Sequence, residues 1–268
     1  MAACYRKIWL LMLLALLHTG QAAAQSPETE KPFRIGISLG YSFTGYREET
    51  NLSLNRYLNT LTYIIDGNIE KGSLLHSFNI GFFRGENEAI TAKPLYEIKI
   101  DPLIQPFASY QNETIYTRGY LEYALDRRLW GNQMFPGYLG GAFRGDVYVM
   151  ETAIYPTFTV LASLDVHATQ KWIINAENIF VFSAGFPIFG YAFRPSYFGM
   201  VFGYEEMEKR ITSLHNYWAV FGDLKYHHKI NALVSLYSGL GFELSRINFP
   251  QPRLDAIFRL NAGVAFSF

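Results

Sequence analysis

LDAIFRLNAGVAFSF, residues 254–268, alternates without a break. Leu254, Ala256, Phe258, Leu260, Ala262, Val264, Phe266 and Phe268 share one parity, and Asp255, Arg259, Asn261, Gly263 and Ser267 share the other. A period of two is the mark of a β-strand with one apolar and one polar face. Strands of soluble sandwiches run to about five or six residues, whereas a tilted strand crossing a bilayer needs about 9–11. The length of the alternation therefore predicts a membrane-spanning strand. Such a strand needs partners on both edges, because hydrocarbon offers nothing to a free N–H or C=O, and a closed barrel is the sheet that provides them.

The rest of the chain supplies further strands. Phe33, Ile35, Ile37, Leu39, Tyr41 and Phe43 alternate with Arg34, Gly36, Ser38, Gly40, Ser42 and Thr44, a first strand able to close against the last. Between them the same pattern predicts strands over 57–69, 74–84, 114–125, 138–149, 160–169, 172–184, 215–228 and 232–246. Short connections follow the second, sixth and eighth of these strands and long ones follow the first, third and seventh, with turns at Glu70–Ser73, Gln170–Lys171 and Lys229–Asn231. The fold class predicted is all-β, a transmembrane antiparallel up-and-down barrel of ten strands. Twelve is the alternative, because Tyr96, Ile98 and Ile100 alternate with Glu97, Lys99 and Asp101 inside the long segment 85–113. A soluble, secreted all-β domain is the competing fold.

Composition agrees with a barrel: 19 Tyr, 22 Phe and 22 Gly in 268 residues suit interfacial aromatic girdles and close packing within a cylinder. The 23 Lys and Arg balance the 23 Asp and Glu, leaving no basic excess for nucleic acid. At the N-terminus, Arg6 and Lys7 precede the apolar run 8–17, and Ala22-Ala23-Ala24-Gln25 follows. This predicts a secretory signal peptide over 1–24, a polar periplasmic leader over 25–31, and a barrel over 32–268. The one cysteine, Cys4, falls within the signal peptide, so disulfides, thiol nucleophiles and thiolate metal sites are not expected in the mature chain. No cofactor and no metal site are expected.

A strand that ends on Phe268 resembles the C-terminal signal of bacterial outer-membrane β-barrel proteins. The resemblance implies that Phe266 and Phe268 address the chain to the barrel-assembly machinery. It also implies the outer membrane of a Gram-negative bacterium as location, with its lipid as a partner. Short turns then belong to the periplasmic side and long loops to the outside.

The polar parity directs Arg34, Asp66, Arg118, Glu122, Arg144, Asp146, Asp165, His167, Asp223, Lys225, His227, Glu243, Asp255 and Arg259 into the lumen. A mixed-sign set could serve an ion pathway or a catalytic cluster, but a narrow barrel is filled by its own side chains and buried charges persist when paired. A structural plug is therefore expected. Outer-membrane phospholipases carry His-x-Ser on one strand. Here His76 and Ser77 are adjacent and point to opposite faces, while His167-Ala168-Thr169 carries Thr in place of Ser near a periplasmic turn. Omptin-type proteases use acids and histidines near the outer rim, where His215 is the better placed histidine. His227 and His228 straddle the wall.

Two connections are too apolar for free loops: Leu95, Ile98, Ile100, Phe107 and Tyr110 in one, and Phe189, Tyr191, Phe193, Tyr197 and Phe202 in the other. They either cap the barrel or form a docking surface for another envelope protein. The expected role is accordingly non-enzymatic, in envelope maintenance or partner interaction. A barrel-mouth hydrolase acting on lipid or peptide, and a narrow small-solute channel, are the alternatives.

Overall fold

The computed structural model describes residues 33–48, 54–89, 114–151, 156–195, 207–212, 216–249 and 252–268. The expected signal peptide and leader, the candidate extra strands around 96–101, and residues Leu95, Ile98, Ile100, Phe107, Tyr110, Tyr197, Phe202 and His215 lie outside the described residues. The elements are β1 (Phe33–Glu48), β2 (Leu54–Lys71), β3 (Leu74–Ala89), β4 (Thr114–Trp130), β5 (Gly137–Glu151), β6 (Pro156–Ile173), β7 (Asn178–Pro195), β8 (Met207–Thr212), β9 (Tyr217–Lys229), β10 (Val234–Ile247) and β11 (Arg253–Ser267).

Every pairing is antiparallel; chain neighbours pair except where β9 joins β7 past the intervening β8, and β1 meets β11 to close the cylinder. Ten strands form the barrel. The short β8 is additional: it continues the β7 edge above the point where β9 stops, pairing with Gly190–Pro195 while β9 pairs with Asn178–Gly185. The β1–β11 seam runs from Arg34↔Ser267 to Glu48↔Arg253. At its lower end the Phe268 N–H donates to the Phe33 carbonyl at 2.9 Å, with the two rings 5.8 Å apart.

Alternation sets the two faces. Along β11, Leu254, Phe258, Leu260 and Phe266 are exposed on the outside, while Arg253, Asp255, Ile257, Arg259, Ala265 and Ser267 are buried in the lumen. Leu240 faces outward and Gly241 inward on β10. One end of the barrel is held by tight turns. Gly72, at φ 62°, takes the first position of the two-residue β2–β3 hairpin, where a II′ turn needs positive φ. Asparagine organises the other three turns. The side-chain oxygens of Asn132, Asn175 and Asn231 each accept two backbone N–H groups, those two and three residues on. The opposite end carries the connections 90–113 and 196–206.

The β6–β7 hairpin corrects the sequence reading. Its turn is at 174–177, not at Gln170–Lys171, and β7 runs to Pro195, so the supposed loop residues Phe189, Tyr191 and Phe193 belong to the barrel wall. The cause is a bulge. Leu164 pairs with Phe189 but Asp165 with Pro187, leaving Ile188 as an extra residue, and both Ile188 and Phe189 are exposed on the outside. Below the bulge even positions face out, above it odd positions do, so no single parity describes the strand. Pro187, which has no N–H to give, sits beside this irregularity, where a sheet tolerates it. Asp126, expected in a connection, is likewise the continuation of β4 and is fully buried.

Several strands are longer than the bilayer requires, β2, β6 and β7 running to 18 residues each. At about 3.3 Å per residue and a tilt of about 40°, the 18-residue β7 stands roughly 45 Å tall, against about 25 Å for the apolar band of an outer-membrane barrel. The wall is therefore taller than the hydrocarbon at these strands.

Candidate functional site

The lumen is filled in three tiers. At the long-connection end, Leu58, Phe83, Tyr116, Tyr148, Leu161, Ala192, Tyr217, Ala219, Ile247 and Phe249 pack as an apolar collar. Its rings are in tilted contact, Phe83 with Tyr116 at 5.8 Å and Tyr116 with Tyr148 at 6.0 Å. Arg253 lies within this collar, paired to Asp255 at 2.9 Å and donating to the Tyr116 hydroxyl at 3.2 Å.

Below the collar, four buried charges form a closed set. Arg118 donates through Nε and a terminal nitrogen to Asp146 Oδ1, at 3.0 and 2.6 Å, and through that terminal nitrogen to both oxygens of Glu243, at 2.8 and 2.9 Å. Arg144 donates to Asp146 Oδ2 at 2.9 Å and also to Glu243. All four are at most 4% exposed. In a ring of ten strands β4 and β10 stand diametrically opposite, so Arg118–Glu243 spans the bore. The faces of the guanidinium groups are occupied as well: Arg118 lies 4.8 Å from the Tyr148 ring, Arg144 4.7 Å from Phe221 and Arg259 4.9 Å from Tyr120. Tyr120 reaches across β3 in turn, and Gly81 makes the room, since a Cβ there would come within 2.2 Å of the Tyr120 ring.

The third tier, toward the tight turns, encloses a small cavity of about 70 Å³ that is open to solvent. More cross-bore pairs frame it. Lys225 on β9 donates to Asp66 on β2 at 2.5 Å, with Tyr237 donating to the other Asp66 oxygen at 2.6 Å. Lys171 on β6 donates to Glu70 on β2 at 2.5 Å, and Tyr138 donates to the same carboxylate. His167 Nδ1 lies 2.7 Å from Asp126 Oδ2, which also accepts the Thr169 hydroxyl at 3.0 Å. Glu122 is 3.9 Å from the other imidazole nitrogen, and Asp223 is 3.8 Å from Arg259.

The structure thus brings Arg118, Arg144, Asp146 and Glu243 into one cluster. Asp255 lies with Arg253 above it, and Glu122, Asp223, Lys225 and Arg259 lie around or below it. Arg34 lies on the same lumen parity of β1, and Asp165 is buried beside the β7 bulge. Phe266 and Phe268 face outward. Asp126, Glu70, Lys171 and Tyr138 were not singled out from sequence. Asp126 was within reach, because it keeps the even parity of Arg118, Tyr120, Glu122 and Ala124.

No family model matches the sequence, and no curated protein matches it. Among solved structures the chain is similar to the outer-membrane protease OmpT of Escherichia coli, at 7% identity over 92% of this chain and 99% of that one, with a TM-score of 0.58. It also aligns with Neisserial surface protein A at 10% identity, over 90% and 100% of the two chains with a TM-score of 0.38. The translocator domain of the autotransporter NalP from Neisseria meningitidis aligns at 10% identity over 100% and 97%, with a TM-score of 0.43. The chain has the fold of an outer-membrane β-barrel.

Proposed function

We propose that this barrel resides in the outer membrane of a Gram-negative bacterium as a closed, non-conducting wall whose role is interaction within the envelope rather than catalysis. The observation that carries this reading is the pair of seals in the lumen. An aromatic collar lies above a neutral set of two arginines and two carboxylates that ties opposite walls together. An ion entering that level would have to separate charge pairs already desolvated together, which is strongly unfavourable. The His167–Asp126 pair carries no catalytic reading, because Thr169 gives its proton to Asp126 and not to the imidazole.

The upper part of the β6–β8 wall supplies the interaction surface. Phe158 and Phe193 are in tilted contact there at 5.4 Å, Tyr191 is exposed beside them, and Ile211 on β8 is 70% exposed. By height these positions stand at or above the upper edge of the apolar band, where lipid tails do not cover them, and apolar groups left to water in this way mark contact sites.

A photo-reactive amino acid at Tyr191 or Ile211 should give a discrete protein adduct in native membranes, while the same probe at Leu240 should give only lipid adducts. In planar bilayers the purified barrel should show no stepwise conductance. Equal adduct patterns at Tyr191, Ile211 and Leu240 would remove the interaction role, and stable ohmic steps would move the channel reading ahead of it.

A further inference from the structure

The cavity at the tight-turn end holds hydrogen-bond acceptors that the plug does not use. Lys225 and Lys171 line it, but each is committed to its own carboxylate, Asp66 or Glu70. Glu122 and Asp223 also line it, Glu122 standing 3.9 Å from a His167 ring nitrogen and Asp223 3.8 Å from Arg259, both beyond hydrogen-bond distance. Asn79, the direct cross-strand neighbour of Glu122, presents a buried side-chain oxygen without a partner. From the opposite wall His227, only 5% exposed and stacked on Tyr237 at 5.2 Å, lines the cavity with an unpartnered Nδ1. A buried polar atom left unpaired is destabilising. The carboxylates of Glu122 and Asp223 and the Asn79 oxygen are therefore acceptors waiting for a donor, and His227 adds a ring nitrogen that can take either role.

We infer that this cavity is a binding site for a small organic cation carrying a primary ammonium group. N–H donors on one positive centre match the Glu122 carboxylate and the Asn79 amide oxygen, which are direct cross-strand neighbours. Arg259 offsets part of the Asp223 charge and Arg144 part of the Glu122 charge, so the two carboxylates act together as the counter-ion. The cavity lies inside the wall, so the ligand is a dissolved amine and not a bilayer headgroup. It enters from the tight-turn end, because the charge set and the collar close the other.

The test is saturation-transfer NMR on the refolded full-length barrel in detergent, with n-butylammonium as probe and butyrate as its anionic counterpart. The wild-type barrel should transfer magnetisation to n-butylammonium and not to butyrate. Glu122→Gln, nearly isosteric, should weaken binding about tenfold or more, the value of a hydrogen bond to a charged group. Asn79→Asp, which adds a second carboxylate beside Glu122, should strengthen it. The inference is overturned if butyrate binds as well as the amine, or if neither substitution changes the affinity. It is overturned equally if potassium ions displace the amine at concentrations that merely screen charge. None of these outcomes bears on conductance or on cross-linking at Tyr191, so this site and the envelope role fail separately.

Discussion

Glu243→Ala should destabilise the barrel by about 3–5 kcal/mol, the cost of leaving a buried charge without its partner. Glu243 is the β10 anchor of the central set: it accepts from Arg118 at 2.8 and 2.9 Å and from Arg144, both fully enclosed. Without it two guanidinium groups would share Asp146 alone, leaving an excess positive charge in the middle of the lumen. Reversible urea unfolding in lipid vesicles measures the loss. The double substitution Glu243→Leu with Arg144→Leu should recover much of it. That pair removes one charge of each sign and leaves the Arg118–Asp146 contact intact, at 3.0 and 2.6 Å. A single-variant loss below about 1 kcal/mol, typical of exposed pairs, would mean that water reaches the set and that it seals nothing.

Leu240→Arg should cost about 2–4 kcal/mol in the same titration, for a reason on the other face of the same strand. Leu240 is central in β10, paired with Leu260 and Leu224, and points outward from the wall. An arginine there must either enter hydrocarbon or drag water to it. Ile230→Arg, in the exposed β9–β10 turn, should cost about 0–1 kcal/mol because the interface solvates it. Equal costs at the two positions would mean that the outer face of β10 is not in lipid.

The parts of the fold legible in the sequence are those where one rule holds from end to end. The first and last strands alternate without interruption, so their faces, and the closure between them, could be read directly. The β6–β7 hairpin could not, because Ile188 inserts one residue and reverses the parity of everything beyond it. An apolar residue above the bulge therefore looks like a loop residue when read from below. The turn before it had a marker that hydrophobic pattern alone does not weigh. Asn175 repeats the cap made by Asn132 and Asn231, and a reading keyed to asparagine would have placed the turn correctly.

The lumen divides in the same way. Parity alone told which charges point inward, since that needs only strand periodicity. Which charge meets which could not be told. Arg118 and Glu243 are 125 residues apart in sequence, and they meet only because closure sets β4 opposite β10 and the strand stagger brings the two to one height. Lys225 finding Asp66, and Lys171 finding Glu70, depend on the same global geometry. The unpartnered acceptors of the lower cavity are a remainder of that pairing and carry no sequence mark of their own.

The central claim is that one face of each strand meets lipid and the other a filled lumen. Nitroxide labels placed singly at residues 254–268 in proteoliposomes test it most directly, through their collision rates with oxygen and with a water-soluble nickel chelate. Oxygen accessibility should peak at Leu254, Ala256, Phe258, Leu260 and Ala262, and both reagents should be low at Asp255, Ile257 and Arg259. High nickel accessibility at those odd positions would reveal an open aqueous bore, and loss of the two-residue period would contradict the membrane-spanning strand itself.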